Sequence, residues 1–168
     1  MVKLLILIGI IGLIVLVIEI LKKPNGKEAE KKLYDYKKKQ FFLSRAEHEC
    51  YDALMKAVGD KYYVFPQVHL PTIVDNKVVG QNWRGAFKHI NEKSVDFVLC
   101  DKAYIAPQLV IELDDRTHER ADRIDRDKEV ERILEGAGLP ILRLENHGRF
   151  DPQMLSEKIV SSLNNETK

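Results

Sequence analysis

The chain has 168 residues, a formal net charge of +1, 45% hydrophobic and 32% charged side chains, and two cysteines. That length supports one compact core. Two cysteines without framework spacing exclude a disulfide scaffold or metal knuckle, and the near-balanced charge excludes a strongly basic nucleic-acid magnet.

Residues 4–18 carry no polar side chain, and Glu19, Ile20 and Leu21 extend the run toward the ~17–25 residues that span a bilayer. A secretory signal is the competing reading, but no Ala-x-Ala-like cleavage site follows before Lys22 and Lys23. One uncleaved transmembrane helix is therefore expected over residues 1–21, with residues 4–21 engaging the membrane. Lys3 alone precedes it, whereas Lys22, Lys23, Lys27, Lys31 and Lys32 follow. The positive-inside rule then makes the chain a single-pass membrane protein with a cytoplasmic C-terminal domain. Residues 22–40 read as a Lys-rich juxtamembrane linker. Eight lysines against Glu28, Glu30 and Asp35 in residues 22–39 suit anionic lipid headgroups. From residue 40 onward 18 basic side chains face 22 acidic ones, so the part beyond the linker is mildly acidic.

One domain is expected over residues 41–165. Ser44-Arg-Ala-Glu47 is a capping-box pattern, and Tyr51, Leu54, Met55 and Val58 continue an apolar helical face. Residues 62–74 read as a strand that Pro66 and Pro71 confine to an edge. Within it Gln67 is polar among apolar neighbours, facing either a site or solvent. Residues 75–93 mix Trp83, Arg84, Phe87, Lys88 and His89. Packing of Trp83 and Phe87 on the sheet is the expectation there, with base and phosphate contact as the alternative.

Two strands with misplaced acids come next. Val95, Phe97 and Leu99 alternate with Asp96, Val98 and Cys100, which turns Asp96 away from its apolar neighbours. Glu112 and Asp114 end the apolar run from Leu109, two residues apart and on one face. Three converging carboxylates repel unless a cation or shared protons offset them, and Mg²⁺ or Mn²⁺ suits such an oxygen set. The bland reading makes them strand-end acids salt-bridged to Arg116 or Arg120. Residues 120–135 form a charged helix with Ile124, Val130, Ile133 and Leu134 on its apolar side. Asp127 and Lys128 either approach the strand ends or belong to its solvated face. Leu139–Leu144 reads as a strand carrying Arg143, and Asp151-Pro152 opens a final amphipathic helix. There is no Walker-type loop, Gly-x-Ser-x-Gly elbow or dinucleotide fingerprint, so no small-molecule cofactor is expected.

The order Asp96, Glu112-Leu-Asp114, His118, the acidic-basic helix from Arg123 to Lys128 and Gly138-Leu-Pro-Ile-Leu-Arg143 resembles the DUF2726-type domains. More broadly it resembles the very-short-patch-repair-like branch of the restriction-endonuclease-like nucleases. The resemblance covers residues 41–145. It implies an α/β fold with a restriction-endonuclease-like core, a central mixed sheet flanked by helices, and membrane-tethered divalent-metal-dependent hydrolysis of phosphodiester bonds. Asp96 and Glu112 would hold Mg²⁺ or Mn²⁺, with Asp114 or the Leu113 carbonyl completing the shell. His118 would orient or deprotonate water, or protonate the leaving oxygen. Arg116 or Lys128 would offset developing charge, and Arg116, Arg143 and Gln67 would meet nucleic acid. Glu47 occupies the place of a first-helix glutamate in such nucleases, although capping alone explains it. The superfamily's usual lysine is Asp114 here. A catalytically inactive binding or scaffolding module at the membrane is therefore the second reading.

Overall fold

The computed structural model describes residues 1–22, 34–114, 121–146 and 148–164. The chain divides into two compact units, Met1–Gln40 and Phe41–Lys168. In the first, helix α1 runs Val2–Lys22. Its described side chains, residues 6–19, are all exposed, from Leu13 at 62% to Ile18 at 44%. Among the described residues no helix is long and apolar enough to cross a membrane. The expected transmembrane segment is met as a helix.

The second unit is built on a four-stranded sheet in the order β1–β2–β3–β4. Its strands are β1 (Tyr62–His69), β2 (Ser94–Asp101), β3 (Pro107–Asp114) and β4 (Ile141–Glu145). β1 and β3 run antiparallel to β2, while β4 runs parallel to β3. A parallel neighbour requires a crossover, supplied here by α4 (Ala121–Gly136). The expected α/β architecture, a mixed sheet flanked by helices, is therefore present.

Helix α2 (Arg45–Val58) starts where the capping box predicts it. Glu47 N–H donates to Ser44 Oγ at 3.3 Å, and Ser44 N–H donates to Glu47 Oε2 at 2.6 Å. Its buried positions Cys50, Ala53, Leu54 and Val58 recur at helical spacing and form one face. That face meets Phe97, Leu99, Leu109 and Ile111 of the sheet, together with Leu155 and Ile159 of α5 (Pro152–Asn164). A second cluster covers the other side through Val98 and Val110. It joins them to Leu70, to Ile90 of α3 (Trp83–Ile90), and to Val130 and Leu134 of α4. β3 is thus buried on both faces between helical layers, which is why it reads as an unbroken apolar run. Truncating Leu54, which is fully buried, to Ala would cost about 2–5 kcal/mol.

Pro66 sits in β1, at an edge of the sheet, as expected. The expected packing of Trp83 and Phe87 is not found. They are 47% and 41% exposed and belong to neither cluster, and Arg84 stacks 4.8 Å from the Trp83 ring. Asn82 caps α3 through Gly85 N–H, and the helix anchors itself through Ile90. Eight residues provide little more than one buried position, which leaves both aromatic rings outside.

Candidate active site

The site forms where the ladder between β2 and β3 ends. Phe97 pairs with Ile111, the final pair on that side, so Asp96 and Glu112 are the next residues along. Here the side chain of Asp96 takes the place of a backbone acceptor: Leu113 N–H donates to Asp96 Oδ2 at 2.8 Å. The strict alternation expected of β2 breaks at this point. Phe97 and Leu99 enter the first cluster, whereas Val95 joins Val98 and Cys100 in the second. Asp96 is half-buried and acts on Glu47 and Cys50 of α2, on the side of the first cluster.

The opposite neighbour is irregular too. Pro66 pairs with Phe97 and Val68 with Val95, but the intervening Gln67 and Asp96 do not pair. Gln67 has φ 52°, a left-handed backbone that costs a non-glycine residue on the order of 1–3 kcal/mol unless its surroundings hold it. Gln67 Nε2 donates to Glu47 Oε1 at 2.7 Å, which supplies that hold. The capping box fixes Glu47 from its other oxygen. A chain of contacts thus runs from the start of α2 through Glu47 to Gln67, opposite Asp96.

Glu112 and Asp96 act on each other where the two strands part. Burial raises the carboxyl of Glu112 first, followed by the charge of Asp96, and brings it up to about 8. Burial also raises Asp96, although the Leu113 amide and the hydrogen bond from Glu112 oppose the shift. Both carboxyls are thus held above their ordinary range, mainly by burial, so the pair favours keeping a proton. Asp96 in turn acts on Cys50 of α2, whose buried thiol is pushed up to about 12, mainly by burial. A thiol held that high is chemically inert at neutral pH.

Asp114 is drawn elsewhere. The parallel register sets Glu112 beside Arg143 and Asp114 beside Glu145. Arg143 Nη1 then lies 3.1 Å from Asp114 Oδ1, and its Nη2 is 3.9 Å from Glu131 of α4. Arg143 is thereby engaged with carboxylates rather than free for phosphate alone, while its charge opposes the upward shift of Glu112. Asp127 of α4 acts on Glu112 in the opposite sense. Its neighbour Lys128 is exposed. His118 and Arg116 lie outside the described residues.

Among the described residues no group of three or more carboxylate, imidazole or thiol side chains is arranged to hold a metal ion. Of the expected trio, Asp96 and Glu112 lie at the end of the ladder, while Asp114 is held by Arg143 and still acts on Asp96 through its charge. The Leu113 contact to Asp96 is through its amide N–H rather than its carbonyl. A pair of oxygen ligands still fits Mg²⁺, which binds through one or two carboxylates and retains water. A cation there would compete with protons for the raised carboxyls of Asp96 and Glu112.

Sequence inspection missed two features of this region. The left-handed Gln67 has no signature in a residue that is neither Gly nor Asn. Arg149 and Lys158, which line a pocket with Arg143, belong to segments with no motif of their own.

The sequence profile of DUF2726, a protein family of unknown function, matches residues 38–163. No curated protein and no solved structure matches the chain. The match takes in every element of the second unit from α2 to β4 and nearly all of α5, and the chain belongs to the DUF2726 family.

Proposed function

We propose that this domain is a divalent-metal-dependent nuclease that hydrolyses phosphodiester bonds, with Asp96 and Glu112 as the ligands for Mg²⁺ or Mn²⁺. The observation that carries the reading is the placement of two half-buried carboxylates, Asp96 and Glu112, where the β2–β3 ladder ends. The nuclease-like order of acids along the chain supports it further. Two acids brought together out of water weaken a fold unless the site uses their charge. A bound divalent ion supplies electrophilic polarisation of a phosphoryl oxygen and a more acidic water. The chain's own contribution is positional. Leu113 N–H fixes one oxygen of Asp96, Glu112 gives up its proton, and Arg143 supplies positive charge beside both Asp114 and Glu112. His118 is the proton-transfer candidate by residue type, and Lys128 or Arg116 would offset charge on the phosphate.

A second reading is a non-catalytic module that keeps the fold and binds without turnover. It is favoured by Asp114, which stands where related nucleases carry lysine and is occupied by Arg143. Under either reading α1, with its exposed apolar side chains, supports attachment to a membrane. The Lys-rich stretch after it would then face anionic lipid on the cytoplasmic side.

The test is Mn²⁺ titration of the full chain with a DNA duplex and a single strand, beside Asp96→Ala and Glu112→Gln. Saturable binding and metal-dependent cleavage, both lost in the variants, are expected. Site-dependent metal binding without cleavage of any DNA or RNA would select the non-catalytic reading. No site-dependent binding at millimolar Mn²⁺ would end the metal assignment. Retention in the membrane fraction at high salt, with release by detergent, is the matching test for α1.

A further inference from the structure

Beyond the carboxylate pair, between β4 and α5, lies a pocket of about 310 Å³. Leu144 and Leu155, both buried, give it an apolar floor, and half-buried Phe150 lies beside them. Its polar lining is dominated by cations: Arg143, Arg149 and Lys158 against the single acid Glu145. Arg149 and Lys158 are exposed, and among the described residues neither forms an ion pair with a carboxylate. Arg143 is already balanced by Asp114 and Glu131, so the unmatched charge of the pocket is that of Arg149 and Lys158, which an anion between them would offset. Arg143 also belongs to the candidate active site, 3.1 Å from Asp114 on the next strand. The basic pocket and the carboxylates therefore adjoin through one residue.

We propose that Arg143, Arg149 and Lys158 form a subsite for a phosphate group of a nucleic-acid strand, beside the scissile phosphodiester. This rests on the nuclease reading and adds how the strand is held. Arg149 presents a planar fork suited to phosphate oxygens, Lys158 adds a point charge, and Arg143, held by Asp114 and Glu131, contributes positive charge at the pocket's edge. Phe150 offers an apolar surface to the adjoining sugar or base. The same three residues compensate electrostatically for the acidic site next to them, which would otherwise repel a polyanion.

Binding of a short fluorescent single-stranded oligonucleotide to the full chain tests this, measured by anisotropy across a salt series with inorganic phosphate as competitor. The Arg149→Ala/Lys158→Ala double variant should bind at least about tenfold more weakly. Its slope of log affinity against log salt should become shallower by about 1.4, the value for two lost phosphate contacts to a single strand. The charge-preserving Arg149→Lys/Lys158→Arg variant should recover most of the affinity, which a merely structural role would not predict. Unchanged affinity and slope in the Ala variant, with Mn²⁺ binding intact, would overturn the subsite and leave the nuclease reading standing. Wild-type protein that binds inorganic phosphate but no strand would also overturn it, identifying free phosphate as the ligand. A strand bound through Arg149 and Lys158 by a chain that binds no Mn²⁺ would uphold the subsite while the metal assignment fails.

Discussion

Gln67 and Asp96 stand opposite each other on β1 and β2, yet they are skipped by a ladder that pairs their neighbours on either side. Gln67 escapes by a left-handed backbone and reaches Glu47, whereas Asp96 turns into the gap before β3 and takes the Leu113 amide. The two irregularities are one arrangement. Regular pairing here would leave the Leu113 amide facing a backbone carbonyl, and the Asp96 carboxylate would not hold it.

Gln67 therefore offers a test of backbone strain. Gln67→Ala keeps the left-handed backbone and loses the hydrogen bond to Glu47, at an expected cost of about 1–2 kcal/mol. Gln67→Gly loses the same bond but relieves the strain, so it should be the more stable of the two. Urea denaturation of both variants decides the matter, and a Gly variant no more stable than the Ala variant would contradict the strain.

Under the proposed metal-dependent reading, Asp96 is a metal ligand. Asp96→Asn preserves shape but removes the charge, so metal-dependent cleavage should fall by on the order of 10²–10³-fold or more, the scale of losing one electrostatic stabiliser. Thermal melting without metal should change far less. A variant that cleaves as well as the wild type would remove Asp96 from the site.

Glu112 sets a pH dependence whose sign follows from its raised carboxyl. Between the ordinary 4.5 and about 8 the folded protein holds a proton that the unfolded chain has released. This contribution to stability is fully present at low pH and is lost as pH rises through that window. Glu112→Gln, permanently neutral, should flatten the fall and be more stable than wild type at pH 8.5. Added Mn²⁺ should raise the wild-type melting temperature at that pH and leave the variant's unchanged. A wild-type profile that rises with pH across the window would refute the raised carboxyl.

Arg143 holds the two sides of the site together. Arg143→Ala leaves Asp114 and Glu131 without their cation, at an expected cost of about 0.5–1 kcal/mol for a partly exposed, solvent-screened pair. Because its charge opposes the upward shift of Glu112, the variant's loss of stability with pH should move to higher pH. The midpoint of a melting-temperature profile against pH reads this directly, and a midpoint that stays put would show that Arg143 does not act on Glu112.

What the sequence conveyed was local. Ser44 and Glu47 announce the start of α2 because a cap depends on residues three apart. Glu112 and Asp114 stand out because charge at the end of an apolar strand is a conspicuous exception. What it withheld depends on pairing between strands. Nothing in the letters around Asp96 says that its side chain will enter the ladder, since that depends on where β2 and β3 separate. The partner of Asp114 follows from the parallel register of β4, which is a property of the crossover. Trp83 and Phe87 read as core by composition but remain outside, because α3 is too short to bury them along with Ile90.

The contacts of Asp96, Glu112 and Arg143 also bear on the order of events during folding. Glu47, Gln67, Asp96, Glu112 and Arg143 come from five separate elements, and none of the links between them is local in sequence. Such links form only after the costly closure of long loops. An incomplete chain emerging during synthesis, still lacking β4, has no Arg143 to balance the acids. The acids are therefore balanced only when β4 closes the sheet, and until then Asp114 stands without the cation that holds it in the finished fold.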